Sequence, residues 1–271
     1  GKALDTRKFC VICANYLGGC YGSTGPASIN PKTGKPWGPS FPVLRIADIV
    51  ESQLKLLDSL GVKKLHAVTG ASIGGYLSLL LATRYPECVK IVVPIGTGVE
   101  TTINRRILNF EQISAIESDV LFGGGDYYDG PRPDTGLALA RRIAHKTFVS
   151  PDTLRERARS EVVSHKPPHG WYEMNHPVES YMLHQGLKFV ARFDANTYLR
   201  IADAWQWFDL AAEAGAKDFH DLFERCQQQE FLVFSIDSDV AFPPHDQSKL
   251  VHLLKRAHVP MMWITVHSEK E

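Results

Sequence analysis

Short unbroken apolar runs alternate with helical periodicity along this chain. Phe9–Ala14, Leu65–Thr69, Val89–Ile95, Phe231–Ile236 and Met261–Val266 are rich in Val, Ile and Phe and show no polar alternation. Strands covered on both faces read this way. Between them, Ile46–Leu60 keeps a 3.6-residue period through Ile46, Ile49, Val50, Leu54, Leu57 and Leu60 up to Gly61. Ile73–Tyr85 is a second helical segment, stopped by Pro86, and Gln247–Leu254 a third, introduced by Pro243 and Pro244. Strand–helix–strand alternation predicts a mainly parallel sheet with right-handed crossovers and helices on both faces.

The middle of the chain breaks this rhythm. From Asn104 to about Ala216 the pattern holds no strand but four helical segments: Ile103–Ile116, Gly136–Thr147, Ser180–Asp194 and Tyr198–Ala212. Ser160–Asn175, with Pro167, Pro168 and two histidines, reads as a loop. A helical segment over 103–216 therefore interrupts an α/β core made of 1–102 and 217–271. Such an insertion sits over the carboxyl ends of the strands, where ligands bind. Gly1–Lys8 show no signal-peptide core, and the chain stops soon after a strand-like run, so the core is expected to be incomplete at both ends.

Composition narrows the function. Lys plus Arg and Asp plus Glu both total 30 in 271 residues, a balance that argues against a nucleic-acid binder. No apolar stretch is long enough to span a membrane. The five cysteines, Cys10, Cys13, Cys20, Cys88 and Cys226, are odd in number and suggest reducing cytoplasm without a disulfide framework. Cys10 and Cys13 have C-x-x-C spacing, but no second pair completes a metal site, and they read as small buried strand residues. No metal and no resident cofactor are expected.

The sharpest chemical signal is the strand Leu65–Thr69 running into Gly70-Ala71-Ser72-Ile73-Gly74 and at once into a helix. That context is the nucleophile elbow: glycines let the strand turn sharply, Ser72 stands at the top, and the N–H of Ile73 at the helix start faces a developing oxyanion. Its acid partner is expected after the strand Phe231–Ile236, where Asp237 and Asp239 are both candidates. The histidine is expected beyond the last strand, where only His267 stands, with little loop to carry it to Ser72. The glycine-rich stretch Gly18–Pro26 lacks P-loop and dinucleotide spacing and reads as a loop that shapes the pocket.

Several longer stretches carry a family resemblance: Asn15–Pro26 with Ser28-Ile29-Asn30-Pro31, the elbow, Gly136–Arg141, Glu179-Ser180-Tyr181 with His184-Gln185-Gly186, and Arg192–Leu199. Together they resemble the homoserine O-acetyltransferase family. The resemblance implies an α/β-hydrolase fold with a helical lid and an acyl-CoA-dependent transfer to homoserine or serine through an acyl-serine. It implies Asp239 as the acid, because a Ser-Asp pair precedes Phe242-Pro243-Pro244, and Arg141 as the holder of the substrate carboxylate, with Arg142 as the alternative. It places the catalytic histidine in a Gly-His-Asp motif beyond Glu271, and implies a homodimer assembled through the lid. Two residues past the acid, acetyl-specific relatives carry Leu and succinyl-specific ones Arg; Ala241 here leaves the donor open. An esterase or thioesterase with the same triad, or a non-catalytic module, are the other readings.

Overall fold

The computed structural model describes residues 4–160, 171, 174 and 176–268. Four strands form one parallel sheet in sequence order: β1 (Leu65–Ala71), β2 (Val89–Ile95), β3 (Glu230–Ile236) and β4 (Met261–Val266). These are four of the five apolar runs predicted as strands. Helices α1 (Ile46–Ser59) and α2 (Ile73–Arg84) flank β1 in the chain. Helices α3 (Ile103–Glu117), α4 (Asp134–His145), α5 (Pro151–Ser160), α6 (Pro177–Val190), α7 (Ala195–Gln206), α8 (Leu210–Glu213) and α9 (Phe219–Glu224) separate β2 from β3. Helix α10 (Pro244–Arg256) joins β3 to β4.

The fifth run, Phe9–Ala14, is not a strand. It pairs with no strand among the described residues, and Phe9, Val11 and Ile12 are exposed. Cys10 and Cys13 are likewise exposed free thiols rather than buried ones, and only Cys226 is buried. An apolar run becomes a strand only where a neighbouring backbone offers a ladder. Phe9 instead stacks on His66 of β1 at 5.0 Å.

One sheet face, with Val92, Phe231 and Val233, is buried in a core shared with Leu79 and Leu80 of α2 and Leu250 and Leu254 of α10. Ile46, Ile49 and Val50, the apolar face of α1, join the same core. Among the described residues the opposite face carries no helix: Ile91, Val93, Leu232 and Phe234 are half-buried there, and Met262 is exposed. Helices were expected on both faces. Apolar strands show that both faces repel water, but not which segment lies against each.

The interposed helices leave and return at one place. The Thr101 N–H donates to Phe208 O at 3.0 Å and the Leu210 N–H to Val99 O at 3.0 Å, so entry and exit are stitched side by side. Within the segment, Ile116, Leu137, Ala140, Phe189 and Val190 make a second core. Helix boundaries shift from those expected. Asp194 does not end a helix but starts α7, accepting from Thr197 N–H at 2.8 Å and from the Tyr127 and Tyr128 hydroxyls. A carboxylate that satisfies an orphan helix-start N–H outcompetes continuation of the previous helix. The loop expected over 160–175 falls almost wholly outside the described residues, and α5, just before it, was not foreseen.

Candidate active site

The strand β1 ends in a sharp turn. Ser72 adopts φ 54° and ψ −122°, one of two non-glycine residues with positive φ among those described. Strain of this kind persists only where surroundings enforce it. The Ser72 N–H donates to Ile95 O at 3.0 Å, and its carbonyl accepts from Thr97 Oγ1 at 2.9 Å and Gly75 N–H at 2.9 Å. The turn closes on Gly70: a Cβ there would lie 2.1 Å from Gly74 O and 2.8 Å from Ser78 Oγ. Gly74, by contrast, has only Tyr16 Oη within reach, at 3.8 Å. Gly75 makes a tight approach that the sequence reading missed, since a Cβ would stand 2.5 Å from Thr97. Ile73 and Gly74 open α2, so their N–H groups have no intrahelical acceptor. Among the described residues the Ser72 hydroxyl has no hydrogen-bond partner.

Asp237 and Asp239 part company at the end of β3. Asp237 is exposed and pairs with the next strand's end: His267 Nδ1 lies 2.7 Å from its Oδ2 and the Ser268 N–H 3.1 Å from its Oδ1. The Ser268 N–H and then His267 hold its carboxyl below the usual range. Asp239 turns inward. Its Oδ1 accepts from the Phe242 N–H at 2.8 Å, and its Oδ2 would be 2.9 Å from a Cβ on Gly96. Gly96 follows Ile95, whose carbonyl holds the elbow, so Asp239 lies beside the elbow and Asp237 at the sheet rim.

Beside the elbow opens a cavity of about 480 Å³. Ile73 and Tyr16 line it, as do Gly19, Cys20 and Tyr21 of the glycine-rich loop and Arg141, Phe148, Phe189 and Tyr198 of the interposed helices. The loop is held in shape by Gly18 N–H to Thr24 O at 2.8 Å, and Tyr21 Oη accepts from Arg192 at 3.2 Å. Arg141 is half-buried and has no carboxylate partner among the described residues. Its guanidinium lies 5.0 Å from the Phe148 ring centroid and 4.8 Å from that of Phe189. Burial lowers its pKa from the ordinary value, yet a guanidinium keeps its charge. His145, one turn further on α4, has its pKa lowered from the ordinary imidazole value, first by burial and then by the charges of Arg141 and Arg157. Arg142 does not line the cavity.

The sequence matches the α/β-hydrolase fold family over residues 1–261. Homoserine O-acetyltransferase from Mesorhizobium japonicum is 38% identical over 271 residues, 100% of this chain and 69% of that protein. The chain belongs to the homoserine O-acetyltransferase family. Another relative of this family, from Methanohalobium evestigatum, is 40% identical over 99% of this chain and 54% of its own length. Homoserine O-succinyltransferase from Alkalilimnicola ehrlichii is 39% identical over 100% of this chain and 70% of its own. The chain thus spans between about half and seven-tenths of the relatives it matches. A crystal structure of homoserine O-acetyltransferase from Bacillus anthracis superposes with a TM-score of 0.81 at 25% identity, over 91% of this chain and 65% of that one. Esterase E22 shares the fold, with a TM-score of 0.83 at 23% identity over 94% of this chain and 70% of its own.

Several stretches that resemble the homoserine O-acetyltransferase family have structural roles here. Asp194 and Asn196 hold the interposed helices together, Asn196 Nδ2 donating to Gly125 O at 2.8 Å. One cavity residue was not foreseen. Asn109 on α3 is only 1% exposed, lines the cavity, and its Nδ2 has no partner among the described residues. An unsatisfied amide beside a cavity costs about 1–3 kcal/mol. Its signal in the sequence was a polar residue on the inward stripe of α3, one turn before Gln112, which accepts the Tyr198 hydroxyl. No helix among the described residues is long and apolar enough to cross a membrane.

Proposed function

We propose that this chain carries the acyl-enzyme chemistry of an acyl-CoA-dependent O-acyltransferase. It moves an acetyl or succinyl group to the hydroxyl of L-homoserine or L-serine. The observation that carries this reading is one cavity lined both by Ile73, where α2 opens beside Ser72, and by Arg141, a desolvated cation with no carboxylate partner among the described residues. Its size, about 480 Å³, suits a small acylated amino acid.

Ser72 Oγ attacks the thioester carbonyl carbon. The Ile73 N–H at the start of α2 stabilises the oxyanion. As the tetrahedral intermediate collapses the C–S bond breaks, and the proton taken from Ser72 goes to the departing CoA thiolate. The base is the histidine that the family resemblance places past the last strand, oriented by Asp239. His267 does not fill this role, since Asp237 holds it at the rim. In the second half-reaction the amino-acid hydroxyl attacks the acyl carbon, its proton passes to the base, and Ser72 regains it as the C–Oγ bond breaks. Arg141 grips the acceptor carboxylate in the bidentate manner of a guanidinium. The Asn109 amide offers a further polar contact. The interposed helices act as a lid that keeps water from competing. Ile103, Ile107 and Phe110, 71%, 53% and 64% exposed on one stripe of α3, supply apolar surface for a homodimer through that lid. The five free thiols support a reducing, cytoplasmic setting.

Mass spectrometry of the intact protein after acetyl-CoA or succinyl-CoA is expected to show an acyl adduct on Ser72 that homoserine or serine discharges. Ser72→Ala is expected to show none; an adduct on that variant refutes the nucleophile. Arg141→Ala is expected to acylate normally but to bind the acceptor more weakly, by about 2–5 kcal/mol. Discharge at the same rate with and without an amino acid makes water the acceptor and the protein an esterase.

A further inference from the structure

Arg105 is the most deeply buried cation near the elbow that the chemistry above does not use. It lies in the first turn of α3, the first of the interposed helices, and is 4% exposed. Its Nη1 donates to Ala241 O at 2.7 Å and to Asp246 Oδ2 at 2.7 Å. Its guanidinium lies 4.1 Å from the Phe242 ring centroid. Ala241 and Phe242 belong to the turn that Asp239 closes, through the bond from Phe242 N–H to Asp239 Oδ1 at 2.8 Å. Asp246 opens α10, with His245 Nε2 3.1 Å from its other oxygen, and the next residue, Gln247, donates to Thr97 O at 2.7 Å. Thr97 in turn holds Ser72 O at 2.9 Å. One buried guanidinium is therefore bonded directly to the acid turn and, through Asp246, Gln247 and Thr97, to the elbow.

We propose that Arg105 is a positioning residue that locks the acid turn against the elbow and ties both to the seating of α3. The proposal rests on the reading of Ser72 and Asp239 as working partners. Stability alone does not account for the pair. A buried ion pair gains little over apolar residues of the same volume, because desolvation offsets its attraction. What the pair supplies is direction: one charged nitrogen, Nη1, fixes two oxygens from the acid turn and from α10, while Nε and Nη2 have no partner among the described residues. Arg105 does not itself line the cavity and makes no hydrogen bond to Ser72 among the described residues, so its effect runs through Asp239. When α3 is displaced, the guanidinium leaves with it and the turn from Asp239 to Phe242 loses its outer anchor.

Removing Arg105 alone leaves the buried Asp246 Oδ2 without its guanidinium and only the exposed His245 beside its other oxygen, and that variant is prone to misfold. The informative variant is Arg105→Met with Asp246→Leu, which removes both charges and keeps the volume. The full-length protein, including the histidine that the family resemblance places past the last strand, is treated with a fluorophosphonate, and the rate of Ser72 labelling is read by mass spectrometry, with thermal unfolding measured alongside. The double variant is expected to unfold within a few degrees of wild type yet to label about 10²-fold more slowly, the cost of a misplaced partner of about 1 Å. Arg105→Lys, which keeps the charge and reaches the same oxygens, is expected to recover part of that rate. In steady state kcat is expected to fall by a larger factor than the acceptor KM rises, since Arg141 on α4 is untouched and, of the two acceptor contacts, only Asn109 shares α3 with Arg105. A folded double variant labelling at the wild-type rate overturns the proposal alone. Absence of Ser72 labelling in wild type overturns the reading beneath it, and the proposal with it.

Discussion

Replacing Ser72 by glycine should make the protein more stable while ending its chemistry. Ser72 holds φ 54° and ψ −122°, a conformation that an L side chain resists and glycine adopts freely. Such strain costs about 1–3 kcal/mol. Glycine also loosens the unfolded chain, which offsets about 0.4–1 kcal/mol. The Ser72 hydroxyl has no partner among the described residues, and the bonds that shape the elbow run from its backbone, so no hydrogen bond is lost. The net expectation is a gain of about 1 kcal/mol, or about 2–4 °C in Tm for a protein of this size. Ser72→Ala is the control, because it removes the hydroxyl and keeps the Cβ that causes the strain. It should stay within about 0.5 kcal/mol of wild type. Urea unfolding of the three proteins, with the m-value checked for constancy, reads the difference directly. A glycine variant no more stable than the alanine variant would show that the elbow stores no backbone strain.

The two elbow glycines should respond differently. Gly70→Ala drives a Cβ to 2.1 Å from the Gly74 carbonyl and is expected to cost more than about 4 kcal/mol or to prevent folding. Gly74→Ala meets only Tyr16 Oη at 3.8 Å in the first turn of α2, and is expected to be neutral or to gain up to about 1 kcal/mol in the same unfolding assay. Glu213 accepts the Ala47 N–H at 2.7 Å, and burial above all pushes its pKa up to about 7. Its neutral form is favoured in the fold, so its contribution is complete below the unfolded carboxylate pKa of about 4.3 and is lost as pH rises through about 7. Glu213→Gln stays neutral throughout. Discounted for partial exposure, it should gain about 1 kcal/mol at pH 8 and nothing near pH 4; an equal gain at both would show that charge is not the cause.

The parts of this protein legible in its sequence are those set by neighbours along the chain. The four strands could be read because each is apolar on both faces and so forms an unbroken apolar run. The elbow was legible because a turn that places Gly70 against Gly74 tolerates no Cβ at position 70 and spans only a few residues. The family resemblance reached further and pointed to Arg141, which the fold places in the cavity wall. Where the sequence reading slipped, the deciding partner was distant. Phe9–Ala14 has the pattern of a strand and no strand beside it. Asp194 was placed at the end of one helix because nothing local shows that it caps the next.

Tertiary structure alone decided which groups meet. Asp237 and Asp239 are two residues apart and alike in the sequence. The fold gives one to His267 at the rim and sets the other against Gly96 beside the elbow, since the chain turns inward between them. Arg105 and Asp246 are separated by 141 positions and touch at 2.7 Å. Local sequence shows a helix with a polar residue near its start; it does not show that this helix will cross the end of another strand's loop. The apolar period determines which side of an element turns inward, because burial acts on each residue according to its own surface. It leaves open which inward-facing residue meets which, because a hydrogen bond or an ion pair depends on distances that only the packed chain sets.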